Sequence, residues 1–244
     1  QIEETCDVVI VGTGPAGSTA ARVLSEAGWD VVMVEEGSPF GSRLHRADAW
    51  HAFRSAWRDT SFQVARGRAI TPFLQGRAVG GGTPINGAII HRMPQPIQEV
   101  WAARHGLDET VPYAELERIF DKLDVELSVA PTPEAAWGGN NALFKRGAEA
   151  LGWHANPTDR AVDGCERSAA CTQGCAGGHK RSMDVTYIPR VIARGARVHS
   201  ECKVDKIEVE SGRAVGVRGR YRDPITGAKG PLLRVRARKA VILA

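Results

Sequence analysis

The sequence predicts an α/β fold in which a parallel sheet carries an antiparallel meander. Residues 7–11 (DVVIV) and 31–34 (VVMV) are short, apolar and rich in β-branched side chains, as in strands covered on both faces. Between them, residues 16–27 place small and apolar side chains at helical spacing, and Gly28 stands where a helix stop belongs. From residue 197 onward, alternating runs are separated by turn signals at 210–212 and 224–230, which reads as a meander of antiparallel strands.

Size and composition bound the rest. The chain has 244 residues, 43% hydrophobic, enough to bury a core in one large domain or two modest ones. Its 27 glycines suit a fold with many tight turns, and its formal charge of +4 is small for this length. Arg234, Arg236, Arg238 and Lys239 alternate with apolar residues, the pattern of a half-buried strand with a solvated face, which argues against a nucleic-acid partner. No apolar run reaches the roughly 18 residues of a membrane span, and no signal peptide opens the chain. A cytoplasmic location is the expectation, although Gln1 is not an initiator Met and export stays open. Five cysteines, an odd number with three in one loop, do not make a disulfide scaffold.

Between the two ends the signals are local. Residues 38–73 are irregular; 113–127 (YAELERIFDKLDVEL) form an amphipathic helix; 128–141 read as loop and 141–151 as helix again. Residues 164–181 are a cysteine-bearing loop, and the final AVILA is a further buried strand. The expected division is a first domain over 1–105, a helical and Cys-rich insertion over 106–195 on the substrate side, and strands returning to the first domain over 196–244.

Gly12-Thr13-Gly14-Pro15-Ala16-Gly17 has the G-x-G-x-x-G spacing of a dinucleotide turn. The first Gly permits the tight turn, the second admits a pyrophosphate to the backbone, and the third lets helix and strand pack closely. The helix N-terminus then offers free N–H groups and partial positive charge to phosphates. Strand, turn and helix follow in the required order, and Glu35 ends the second strand 18 positions after Gly17. Glu35 is placed to accept hydrogen bonds from an adenosine ribose and to repel a 2′-phosphate. A second Gly-rich loop, residues 79–87 (VGGGTPING), lacks a strand–turn–helix frame and suits backbone running close to an extended ligand.

At these residues the sequence resembles the glucose-methanol-choline (GMC) family of FAD-dependent oxidoreductases. The matching features are Gly12/Gly14/Gly17, Glu35-Glu36-Gly37, and Gly80-Gly81-Gly82-Thr83-Pro84-Ile85-Asn86-Gly87, with YAELERIF, KVDKIEVESGRAVGV and ARKAVILA resembling further family elements. The resemblance implies a Rossmann-like FAD-binding domain, incomplete without a C-terminal substrate domain. It implies that Gly12, Gly14, Pro15 and Ala16 line the pyrophosphate and that Glu35 holds the ribose. Gly81, Gly82, Thr83, Asn86 and Gly87 would track the ligand from pyrophosphate to isoalloxazine, and Val204 would meet the adenine through its backbone. Ile85 stands where some relatives carry a flavin-linking His, so non-covalent FAD is expected. His91 and Arg92 either face the active site or form a surface pair.

Cys165, Cys171 and Cys175 leave three readings open: a structural loop with or without a disulfide, an iron–sulfur cluster, or zinc with His179 as fourth ligand. Some multi-subunit family members carry a three-iron cluster at comparable spacing, while many alcohol-oxidising relatives have such a stretch followed by a K-x-S pattern, here Lys180-Arg181-Ser182, without metal. Cys6 and Cys202 read as small buried hydrophobes.

The resemblance also implies what is not in these residues. Family members carry a catalytic His in a C-terminal part, and none of the seven histidines here has a matching context. That part is expected on a second chain, making this one half of a split or nicked enzyme with a large apolar interface, or else is left out of the sequence. The implied reaction is oxidation of a small-molecule alcohol by hydride transfer to flavin N5. Alternatives are a flavin/iron–sulfur dehydrogenase subunit passing electrons to a carrier, a lyase keeping FAD for structure, and a non-enzymatic FAD-binding subunit.

Overall fold

The computed structural model describes residues 1–39, 48–175 and 177–244; residues 40–47, within the stretch read as irregular, and Ala176, within the cysteine loop, lie outside the described residues. The chain divides into two compact units: unit 1 holds 1–86, 170–178 and 182–244, and unit 2 holds 87–169 and 179–181. In chain order the elements are β1 (Ile2–Val11), α1 (Pro15–Glu26), β2 (Val31–Val34), α2 (Ala49–Ser55), β3 (Val64–Ala65), β4 (Thr71–Pro72), α3 (Gln95–His105), α4 (Leu107–Thr110) and α5 (Tyr113–Glu126). They continue with β5 (Val129–Pro131), α6 (Gly139–Ala150), β6 (Asp159–Ala161), α7 (Tyr187–Ala193), β7 (Arg197–His199), β8 (Cys202–Glu210), β9 (Arg213–Arg222) and β10 (Lys229–Leu243).

Unit 1 is built on a six-stranded sheet of order β7-β2-β1-β10-β9-β8. The pairs β7/β2, β2/β1 and β1/β10 are parallel, whereas β9 runs antiparallel to both β10 and β8. The period of two along a strand explains the core. Val31 and Met33 of β2 join Val8, Ile10, Ala21 of α1 and Ile188 and Val191 of α7 on one face. Val32 and Val34 join Val9 and the meander residues Cys202, Val217, Leu233 and Val235 on the other. Cys6 shares that second face with Val9 despite their odd spacing, because the register of β1 slips between Cys6 and Val8. The parallel sheet is therefore sandwiched between helices and its own meander, and each sealed aliphatic side chain contributes roughly 1.5–3 kcal/mol.

Two strands run longer than their apolar cores announce. β1 begins at Ile2, since Ile2–Cys6 pairs with Leu233–Ala237. The expected separate AVILA strand is the end of β10, which pairs with β9 from Lys229 to Arg236 and with β1 from Leu233 to Leu243. The three arginines of β10 are met by carboxylates: Arg234 by Glu208 at 2.8 Å, Arg236 by Glu210 at 3.0 Å, and Arg238 by Asp7 at 2.9 Å.

Unit 2 consists of α3 to α6 with the antiparallel ribbon β5/β6. The helices expected over 113–127 and 141–151 correspond to α5 and α6. Among the described residues no helix is long and apolar enough to cross a membrane.

Candidate functional site

The first Gly-rich turn joins β1 to α1. A Cβ on Gly17 would stand 2.2 Å from the Gly12 carbonyl oxygen, so only Gly lets the helix start this close to the strand. No side chain caps α1: Gly14 is its N-cap and Pro15 opens the first turn, so the N–H groups that follow keep their capacity for an acidic ligand. The second loop meets the first backbone to backbone. A Cβ on Gly81 (φ +63°) would lie 2.7 Å from the Cα of Gly14.

Glu35 continues from β2 between these loops, with only 7% of its surface exposed. Its Oε2 accepts from the Thr13 N–H at 3.0 Å and the Thr13 hydroxyl at 2.7 Å, and its Oε1 accepts from the Gly37 N–H at 2.8 Å. A carboxylate has about four acceptor positions, so one remains on Oε1 for a ligand hydroxyl. The backbone of Glu35 is fixed too: its N–H donates to the His199 carbonyl at 2.8 Å, and its carbonyl accepts from the Cys202 N–H at 2.9 Å. This last bond brings the start of β8, and with it Val204, beside the carboxylate.

These elements enclose a cleft of about 420 Å³ within unit 1, a size ordinary for a small-molecule or cofactor site. Six of the residues singled out from sequence line it: Gly12, Gly14, Glu35, Gly81, Gly82 and Val204. The others sit elsewhere. Pro15 and Ala16 are exposed on the first turn of α1, and Asn86 is exposed at the end of the second loop. Gly87 belongs to unit 2. Thr83 turns its hydroxyl inward, donating to the Gly80 carbonyl at 2.7 Å and accepting from the Met183 N–H at 3.0 Å.

Three further residues of the site carry no motif. Thr13, fully buried, is an "x" of the G-x-G-x-x-G pattern, which fixes glycines and leaves that position free. Arg58 and Lys203 line the cleft and converge on Glu36, Arg58 at 2.8 Å and Lys203 at 3.9 Å, so the second acid of Glu35-Glu36-Gly37 is balanced by two cations. Arg58 comes from the irregular stretch, where spacing offers no signal.

Neither alternative metal reading gains a ligand set. Cys165, Cys171 and Cys175 form no disulfide, and among the described residues no group of three or more His, Cys, Asp or Glu side chains is gathered to hold a metal ion. Cys6 and Cys202 are sealed in the core, and burial pushes each thiol up to about 11. Arg92 lies on the exposed surface of unit 2, paired with Asp121 at 2.8 Å and with Asp124, whose carboxylates hold its guanidinium pKa above the ordinary range.

The arrangement brings together an uncapped helix end, a buried carboxylate with a spare acceptor position, and side-chain-free backbone where the two loops touch. Comparison with known proteins shows the family. The family model described as GMC oxidoreductase matches residues 6–244. A GMC-type oxidoreductase of Sinorhizobium fredii is 34% identical over 237 residues, covering 97% of this chain and 46% of that protein. A long-chain-alcohol oxidase of Arabidopsis thaliana is 27% identical over 205 residues, covering 83% and 26%. Among solved structures, pyridoxine 4-oxidase from Mesorbium loti superimposes with a TM-score of 0.70 at 18% identity, covering 98% of this chain and 49% of that one. The chain spans less than half the length of these relatives. It belongs to the GMC oxidoreductase family.

Proposed function

We propose that this chain is the FAD-binding part of an oxidoreductase that oxidises the CH–OH group of a small-molecule alcohol. The observation that carries the reading is the convergence of Gly12, Gly14, Glu35, Gly81, Gly82 and Val204 on one cleft with an uncapped helix end. The α1 N-terminus would bind the pyrophosphate, where its dipole favours negative charge. Glu35 would accept from the ribose, and the backbone of β8 at Val204 would border the adenine. The second loop would lie along the ligand toward its isoalloxazine end, past Thr83 and Asn86. Ile85, 1% exposed, offers no nucleophile for a covalent link, so the cofactor is held by these contacts alone.

When bound, the flavin supplies a hydride acceptor for the carbinol carbon. The contribution of these residues is to fix the ring and exclude water from its nucleotide side. The proton of the alcohol would pass to a His in the remaining half of the fold, whether on a second chain or further along this one. The visible spectrum of the purified native protein, taken before and after denaturation, tests the reading. A two-band flavin spectrum that passes into the supernatant on denaturation is expected. A colourless native protein that takes up no FAD would overturn it.

A further inference from the structure

We infer that Thr13 is a positioning residue that couples the ribose-binding carboxylate to the second glycine loop; the inference rests on the FAD reading above and names a residue that reading does not use. The Thr13 hydroxyl donates to Glu35 Oε2 at 2.7 Å and accepts from the Gly80 N–H at 3.0 Å. Its own N–H also donates to Glu35 Oε2 at 3.0 Å, and its carbonyl accepts from the Ser18 hydroxyl at 2.7 Å. Every polar atom of the residue is thus engaged, in a position with no exposed surface. The two bonds through the hydroxyl have a fixed sense. A carboxylate only accepts and a backbone N–H only donates, so the oxygen gives its proton to Glu35 and offers its lone pair to Gly80.

The peptide of Gly80 is held on its other side as well, because its carbonyl accepts from Thr83 at 2.7 Å. The loop is therefore clamped at one residue by two threonine hydroxyls, and only the Thr13 clamp continues to the cofactor carboxylate. Hydrogen bonds in such a buried chain polarise one another, and charge on the acceptor strengthens the first link. A ribose hydroxyl donating to Glu35 draws on the same carboxylate that holds the Thr13 hydroxyl. The position of the ribose and the position of the loop at Gly80 are then not independent.

Thr13→Val keeps the shape of the side chain and deletes the oxygen, leaving Glu35 Oε2 one donor short and the Gly80 N–H without its acceptor. Leaving buried partners unsatisfied predicts FAD binding weaker by about tenfold or more in the holoprotein after flavin removal and reconstitution. Thr13→Ser, which restores the oxygen, is expected to bind within about twofold of wild type, a rescue that a mere packing role for the methyl would not give. A second measurement needs no variant. Saturating adenosine, which presents a ribose but no phosphate, should change the rate of amide hydrogen exchange in the peptide bearing Gly80 of the flavin-free wild-type protein. Thr13→Val binding FAD as wild type does, Thr13→Ser failing as Thr13→Val does, or unchanged exchange at Gly80 would each overturn the coupling. If wild-type protein binds no FAD, the proposed function falls first and the failure is recognisably a different one.

Discussion

In unit 1, Val8, Ile10, Val31, Val32, Met33 and Val34 are sealed to 1% exposure or less, and both faces of their sheet are covered. In unit 2, α5 has the apolar spacing of an amphipathic helix yet buries no residue fully, and Leu143 and Phe144 of α6 stay 61% and 74% exposed. The two regions send different kinds of signal. A continuous β-branched run demands cover on both sides, and this chain supplies it from α1, α7 and the meander. An amphipathic helix specifies which of its faces turns inward but not what lies against that face. Stability is therefore concentrated in unit 1, and matched substitutions in the two units should separate clearly.

The largest difference is expected from one such pair. Met33→Ala removes a fully buried side chain between β2 and the helices and should cost about 2–5 kcal/mol, since the surrounding sheet collapses only in part. Ile119→Ala on α5, where the side chain is 39% exposed, should cost less than about 1 kcal/mol. Urea midpoints of the holoprotein at unchanged m-value provide the comparison. Equal losses would show that unit 2 has a tighter core than its exposures indicate.

Gly17→Ala comes next. The added methyl meets the Gly12 carbonyl at 2.2 Å, and both atoms belong to a turn pinned by β1 and α1. Relief requires the helix to move off the strand, at about 1–3 kcal/mol. The same movement opens the turn that would meet the pyrophosphate, so FAD affinity and the urea midpoint should fall together. A variant with normal stability and normal affinity would mean that the two elements are not locked at this contact.

The buried thiols give the comparison a pH dependence. Cys6 and Cys202 have pKa values pushed up to about 11 from the ordinary thiol value of 9.0, desolvation by the core being the largest cause. A raised pKa in the folded state means the unfolded chain ionises first. Their contribution is fully present below pH 9.0 and is lost as pH rises toward about 11. Thermal midpoints measured across that window should decline, and Cys6→Ala should flatten the decline in part. In the native protein at neutral pH, Cys165, Cys171 and Cys175 should react with a thiol reagent well before Cys6 or Cys202.

The contrast between the units also explains what could be read in advance. The βαβ unit was legible because period, turn and helix stop all point one way over residues 7–37. The cleft was legible in its glycines and in Glu35, because those positions answer to backbone approach and charge. Thr13 was not, since the G-x-G-x-x-G spacing constrains its neighbours and its own role exists only once Gly80 arrives from 67 residues away. α7 escaped because Pro189 interrupts its apolar run, although a proline in the first turn lacks only an N–H that has no helical partner. The two-partner character of β10 escaped because its change from alternating to continuous apolar sequence looks like a break. In the structure that change marks where β9 gives out as a partner and β1 carries on to the strand's end.

Arg92→Ala should have the smallest effect, and for that reason it probes the exposed end of the comparison. Its guanidinium bonds Asp121 at 2.8 Å and Asp124 and lies 5.9 Å from the centre of the Phe120 ring, a geometry that in a protein interior would be costly to break. Here the arginine side chain is 45% exposed and that of Asp121 70% exposed, so water screens the pair and replaces the lost bonds. The urea midpoint should be barely changed, with no change in FAD affinity, because the residue lies outside the cleft. Raising the salt concentration should shrink even that difference. A large drop in the midpoint, insensitive to salt, would mean that this face of α5 is covered in the working protein, and that the open surface of unit 2 is an interface.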